Sequence, residues 1–230
     1  MYCNTFSIVA RCPDSGRFGV AISTAVPAVG SLCSFAKAGV GAIATQAWVN
    51  PSLGVKGLAL LEEGLSAEQT LKRLLAEDDG RNSRQLGIVD ASGQSIAYTG
   101  SRTVRHQGHT SGPNYAIQGN MLKGPETLQA MEDSFCSSEG ELAERLMRAL
   151  EAGQAAGGDK RGKVSAALTV VDTEGFPYCE LRVDEHADPV AELRRIFNIH
   201  RIGLMSCYNK WVSSIKEGKK VSMRELFKRD

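Results

Sequence analysis

The most reactive arrangement in this sequence is a threonine at the head of a strand. TFSIVA (Thr5 to Ala10) is a β-rich run that begins with a hydroxyl, and four residues, MYCN, precede it. A hydroxyl is a poor nucleophile at neutral pH and needs a nearby base. A threonine standing first in its chain carries that base in its own α-amino group, whose reference pKa is about 7.7 to 8.0. The condition is removal of MYCN, because loss of the initiator Met alone does not expose Thr5. With MYCN in place, Thr5 reads as an ordinary β-former capping a strand. Cys3, which is not terminal, is the poorer nucleophile.

Other polar groups fall at strand ends. Ser23 and Thr24 close a second strand beside Thr5 if the two pair in register; they either bind substrate or satisfy backbone groups. Gln46, Asn50, Gln118 and Asn120 are four amides, suited to polarising a carbonyl or holding an amide substrate in a cleft, and equally suited to turns and backbone contacts. In GGDKRG (Gly157 to Gly162) two glycines let the backbone approach a ligand, while Asp159, Lys160 and Arg161 offer both signs of charge to an amino-acid zwitterion. A Gly pair is also an ordinary helix stop. Asp159 is assigned to catalysis with Thr5, Lys160 and Arg161 to substrate. Ser165 follows at another strand mouth.

His106 and His109, and the run Asp184, His186, Asp188, invite a mixed His and carboxylate metal site, but nothing in the sequence fixes the two groups near each other. Asp188 before Pro189 is better explained as a helix N-cap. No metal and no cofactor are expected.

Composition narrows the function classes. With 230 residues, 42% hydrophobic and 23% charged, the chain can bury one sizeable core. A net charge of +1 argues against design for nucleic acid or acidic membranes and leaves a small-molecule substrate. Six cysteines without a C-x-x-C pair, and no basic-then-apolar leader, read as free thiols in a cytoplasmic protein. From Asn198 to Asp230 eight basic residues face three acidic ones, interrupted by Leu204, Met205, Trp211, Val212 and Ile215. This predicts amphipathic helices packing on the body or on a second subunit, rather than an RNA-binding arm.

The elements that must position these groups follow from turn and cap signals. Three segments, Val9 to Ile22, Leu86 to Tyr98 and Leu168 to Val183, place Asp shortly before Gly between β-rich flanks, which predicts antiparallel hairpins. Gly41 to Ala47 and Tyr115 to Asn120 are further strands. Ser66 with Gln69, and Ser138 with Glu141, predict capping boxes; Pro125 begins a helix, and PSLGVKGLALLEEG ends one at Gly64. Helix pairs between hairpins predict an α+β, four-layer αββα sandwich of two antiparallel sheets flanked by helices. The expected division is residues 1–187 for this domain and 188–230 for a helical extension.

That order, with TFSIVA, GVGAIATQ (Gly39 to Gln46), NPSLGVKGL (Asn50 to Leu58), YAIQGNML (Tyr115 to Leu122) and AGGDKRGKVSAAL (Ala156 to Leu168), resembles the N-terminal-nucleophile (Ntn) hydrolases. More closely, it resembles a widespread bacterial Ntn-hydrolase-like family catalogued as a domain of unknown function, from Thr5 to about Leu193. The resemblance implies that Thr5 is the nucleophile and makes Lys37, just before GVGAIATQ, the counterpart of the basic residue that lowers its pKa; Lys37 reads equally as a surface lysine at a strand start. It also brings in His109, which lies in the covered region, as a substrate-binding residue.

The expectation is an Ntn-type amidohydrolase acting on a small amino-acid-like metabolite, assembled as a homo-oligomer. The competing reading is a catalytically silent protein of the same fold that binds a small ligand or serves as an oligomeric scaffold.

Overall fold

The computed structural model describes residues 2–104 and 106–227; residues 228–230, the end of the expected helical extension, lie outside the described residues. The chain runs β1 (Tyr2–Cys3), β2 (Thr5–Arg11), β3 (Phe18–Thr24), α1 (Val29–Cys33), β4 (Ser34–Lys37), β5 (Gly41–Trp48), α2 (Pro51–Glu62) and α3 (Ala67–Ala76). It continues through β6 (Arg84–Asp90), β7 (Ser95–Thr99), β8 (Gly108–Gly112), β9 (Tyr115–Gly119), α4 (Glu126–Ser137), α5 (Leu142–Ala155), β10 (Ser165–Val171), β11 (Pro177–Val183) and α6 (Pro189–His200).

The three predicted hairpins form where Asp and Gly shape the turn. In the second, the Asp90 carboxylate accepts from the N–H groups of Ser92 and Gln94 while Gly93 takes a positive φ of 87°. The strands assemble into two antiparallel sheets. The first has the order β11-β10-β3-β2-β9-β8, so β2, which begins with Thr5, is interior. The second runs β5-β6-β7, and β1 and β4 both lie along the other edge of β5.

The inner faces meet through small residues. Val9, Val20 and Ala116 of the first sheet pack against Ala42, Ala44, Val89 and Ala97 of the second. Outside the second sheet, Leu53, Leu61, Leu71 and Leu74 of α2 and α3 cover Ile43, Leu86 and Ile88, each such buried side chain stabilising by about 1.5–3 kcal/mol. Outside the first, α5 approaches β3 so closely that a Cβ on Gly19 would stand 2.6 Å from Leu146 Cδ1. The layers therefore run helices, sheet, sheet, helices.

The Ser66 and Gln69 capping box is present on α3. The one expected at Ser138 and Glu141 is not. Ser138 ends α4, its hydroxyl donating to the Ser134 carbonyl, and α5 starts from Glu141 with no side-chain cap. The polar SSEGE run serves as the break between two helices rather than as the start of one.

Contacts divide the chain into a body, Met1–Leu193, and a second unit, Arg194–Asp230. Within the second unit, Arg201–Met205 forms a π-type segment with non-helical backbone at Gly203, followed by α7 (Ser206–Lys216) and α8 (Met223–Leu226). Among the described residues, no helix is long and apolar enough to cross a membrane.

Candidate active site

The backbone passes from one sheet to the other at Asn4. Cys3, in β1, pairs with Ala47 of the second sheet, and Thr5, in β2, pairs with Thr24 of the first. The peptide joining Asn4 to Thr5 is thus held at the mouth between the sheets, and Thr5 is completely buried. Its hydroxyl donates to the Cys3 carbonyl at 2.7 Å.

Two donors converge on the Asn4 carbonyl oxygen. The Thr24 hydroxyl is 2.5 Å away and the Arg161 guanidinium Nη2 2.9 Å. Register explains Thr24, which stands opposite Thr5 and faces the same way. Arg161 is aimed by Asp159, whose buried carboxylate accepts from the Arg161 backbone N–H at 2.9 Å and from its Nη2 at 2.6 Å. The loop is anchored by a bridge between Asp159 and Leu122 and by Lys160 N–H donating to the Met121 carbonyl. Gly158 is packed rather than open to a ligand: a Cβ there would meet Gln154 and Phe6, and its N–H returns to Gly153 to close α5.

Below the mouth, a chain of amides joins the sheets. Ser7 donates to Gln46 Oε1 at 2.6 Å and accepts from Gln118 Nε2 at 2.6 Å. Gln46 Nε2 donates to Gln85 Oε1 at 2.7 Å and to the Thr5 carbonyl at 3.2 Å. Gln85 Oε1 also accepts from Asn120 Nδ2 at 2.8 Å, and Gln85 Nε2 donates to the Thr99 hydroxyl and to the carbonyls of Gly108 and Gly119. Thr99 Oγ1 lies 2.8 Å from Nδ1 of His109, whose ring is exposed at the rim. The side-chain oxygens of Asn4, Gln118 and Asn120 stay buried without a donor. Ala47 and Met121, beside this cluster, hold left-handed backbone (φ 69° and 53°), a strain of order 1–3 kcal/mol each for residues with a Cβ.

Of the expected site residues, Thr5, Thr24, Gln46, Gln118, Asn120, Asp159 and Arg161 come together, with His109 at the rim. Lys37 does not. It pairs with Gly41 at the far end of β5 from Ala47, and its ammonium binds Glu62 at 2.5 Å. β4 and β5 form an antiparallel hairpin, so the residue just before GVGAIATQ is carried away from the Gln46 end. Asn50 caps α2, its side chain accepting from the Ser52 N–H. Ser23 lies on the opposite face of the sheet, beside Phe6 of β2, and donates to the Ser165 carbonyl. The Ser165 hydroxyl donates to the Val26 carbonyl and accepts from the Val29 N–H, closing the start of α1. Lys160 is exposed.

Sequence reasoning missed Gln85, Ser7, Thr99 and Asn4. Gln85 was one residue outside the hairpin read as starting at Leu86, although a Gln at a strand end is the signal that also marks Gln46 and Gln118. Among the described residues no cluster of three or more His, Cys, Asp or Glu suits a metal ion.

A family model described as a family of unknown function (DUF1028) matches residues 5–193. The crystal structure of protein SPO2555 from Silicibacter pomeroyi, assigned to the same family, is 30% identical with a TM-score of 0.82, covering 89% of this chain and 93% of that one. Anbu (ancestral beta-subunit) from Yersinia bercovieri is 12% identical with a TM-score of 0.38, covering 95% of this chain and 100% of that one. An Anbu mutant from Hyphomicrobium sp. strain MC1 is 13% identical with a TM-score of 0.40 over the same shares. No curated protein matches. A match that begins at Thr5 and ends at Leu193, the last residue of the body, means that the chain belongs to the DUF1028 family.

Proposed function

We propose that Thr5 cuts the peptide bond between Asn4 and itself and then, as the new first residue, hydrolyses an amide or related C–N bond in a small amino-acid-like metabolite. The observation that carries this reading is the Asn4 carbonyl, held by the Thr24 hydroxyl at 2.5 Å and the Arg161 guanidinium at 2.9 Å. Donors in those positions polarise the carbonyl and stabilise the negative charge that develops when its carbon is attacked.

The Thr5 hydroxyl is four covalent bonds from that carbonyl carbon, and its attack closes a five-membered ring. The C–N bond then breaks, the hydroxyl proton ends on the nitrogen, and Asn4 is left as an ester on Thr5. Water hydrolyses the ester, releasing the preceding segment as a carboxylate and leaving Thr5 with a free amine. That amine has the pKa to accept the hydroxyl proton in later turnovers. Thr24 and Arg161, relieved of the Asn4 carbonyl, face the carbonyl or carboxylate of an incoming substrate. The unpaired oxygen of Asn120 favours a substrate that offers an N–H donor.

A second reading has its own observation. With β1 seated on β5, Thr5 has no exposed surface, as suits a catalytically silent protein that binds a ligand elsewhere or serves as a scaffold. Intact-mass measurement of protein made in its own host separates the two. The nucleophile reading expects loss of every residue up to Asn4, retention of them in Thr5→Ala, and turnover of small amides, N-acyl amino acids or ureido compounds by the cut form. A chain that stays whole, or a Thr5→Ala chain cut as readily as the parent, overturns it.

A further inference from the structure

The segment before Thr5 is held by more than the contacts on its carbonyl. β1 and β4 share one edge of β5, with Cys3 opposite Ala47 and Ser34 opposite Ala44. Only the stretch facing Thr45 and Gln46 separates them, and Cys33 immediately precedes Ser34. The two side chains share one core cluster there with Ile22, Val29 and Ala167, and both are fully buried. Neither is in a disulfide.

We propose that Cys3 and Cys33 are a redox dithiol whose disulfide fastens the segment before Thr5 to the protein core. The consequence for the active site rests on the reading of Thr5 as a nucleophile. Cys3 lies on the side of the cut that leaves and Cys33 on the side that stays, so an oxidised chain keeps the cut segment in the mouth and a reduced chain lets it go.

The pair is asymmetric in the way such chemistry uses. The neighbouring Cys33, helped by the charge of Arg161, holds the Cys3 thiol below its ordinary pKa, while Cys3 and burial push Cys33 well above. With hydrogen peroxide as oxidant, the Cys3 thiolate attacks one oxygen; an S–O bond forms, the O–O bond breaks and the first water leaves. The Cys33 sulfur then displaces the sulfenic oxygen as the second water, its own proton going with it. Two thiols lose two electrons and two protons, and one peroxide becomes two waters. Cytoplasmic disulfides of this kind are transient and serve sensing, which suits a switch on site access.

The dithiol is tested on the full chain carrying Thr5→Ala, which keeps the segment whatever Thr5 does, and Cys136→Ser, which removes the exposed thiol. After peroxide treatment, free thiols are alkylated in denaturant and the chain is digested without reductant. The expected result is a joined pair of peptides containing Cys3 and Cys33, reversed by dithiothreitol, with Cys12, Cys179 and Cys207 alkylated. Full alkylation of Cys3 and Cys33, or Cys3 joined to another cysteine, overturns the proposal. In the parent chain, from cells exposed to peroxide and quenched with N-ethylmaleimide, the mass of the segment is expected to disappear only on reduction. A chain cut and freed of the segment without reductant overturns the fastening while leaving Thr5 as nucleophile. A chain never cut, yet bridged in the peptide map, upholds the dithiol and removes the nucleophile reading.

Discussion

At the scale of single residues, the arrangement turns on one carbonyl with two donors. Thr24 is the better probe of the pair, because Arg161 also neutralises the buried Asp159 carboxylate, and its removal would leave that charge unpaired. Thr24→Val keeps the β-branched shape, and the Asn4 oxygen keeps its bond to Arg161. The expected outcome is cutting slowed by roughly 10² to 10³-fold, the loss that removal of one such donor produces, with a far-UV spectrum like the parent's. A variant that cuts at the parental rate, followed by mass over time, would show that the Thr24 hydroxyl serves only the backbone. Thr5 was legible in the sequence because a hydroxyl at a strand head is a local feature, and Asp159 and Arg161 because GGDKRG is a compact cluster of charge. Lys37 was misplaced for a reason that no list of residues contains. Its distance from Thr5 depends on which end of β5 points at the mouth, and register sets that: Lys37 opposite Gly41, Cys3 opposite Ala47.

At the scale of elements, the amide chain is what ties β2, β5, β6 and β9 together at the end that matters. Four strands from two sheets each contribute a side chain or carbonyl to it, so the mouth is braced by hydrogen bonds where the apolar interface is alanine and valine with Phe18. Gly87 makes room for it. A Cβ there would lie 2.0 Å from Gln118 Oε1 and 2.6 Å from its Cδ, so Gly87→Ala must push Gln118 off Ser7 or spread the sheets. We expect a loss of roughly 1–3 kcal/mol, the usual cost of overpacking a tight interior, measured by denaturant unfolding, together with slower cutting before Thr5. Unchanged stability and cutting would mean that Gln118 moves freely and does not brace the mouth. The hairpins and helix pairs were readable from Asp and Gly turns, Ser66, Pro125 and Gly64. β1, β4 and β8 were not: they are two to five residues long, and GHTSG has no apolar alternation to announce a strand. Missing β1 mattered most, since it is the element that seats the segment before Thr5.

At the scale of the whole molecule, the sequence divides by charge and the structure by contacts, and the two divisions nearly coincide. The family match and the compact body both end at Leu193, while the basic surplus begins a few residues later. The layered body was legible because alternation of hairpins and helix pairs admits few packings; the second unit was less so, because the backbone break at Gly203 leaves no composition signal beyond one glycine. That unit exposes Ile199, Ile202, Leu204 and Ile215 by 53–63%, a spacing that puts several large apolar side chains in water on one short stretch of chain. Such surface favours association, and a homo-oligomer of this chain would draw on it. Replacing Ile202 and Leu204 together by Ser is therefore expected to lower the mass seen by light scattering by at least half, at concentrations where the parent chain is associated. Both positions lie outside the body that carries Thr5, Thr24 and Arg161, so cutting before Thr5 should proceed at the parental rate in the dissociated form. An unchanged mass would place the contact between copies on the body instead; a lower mass with cutting abolished would mean that the site needs a neighbouring copy to work.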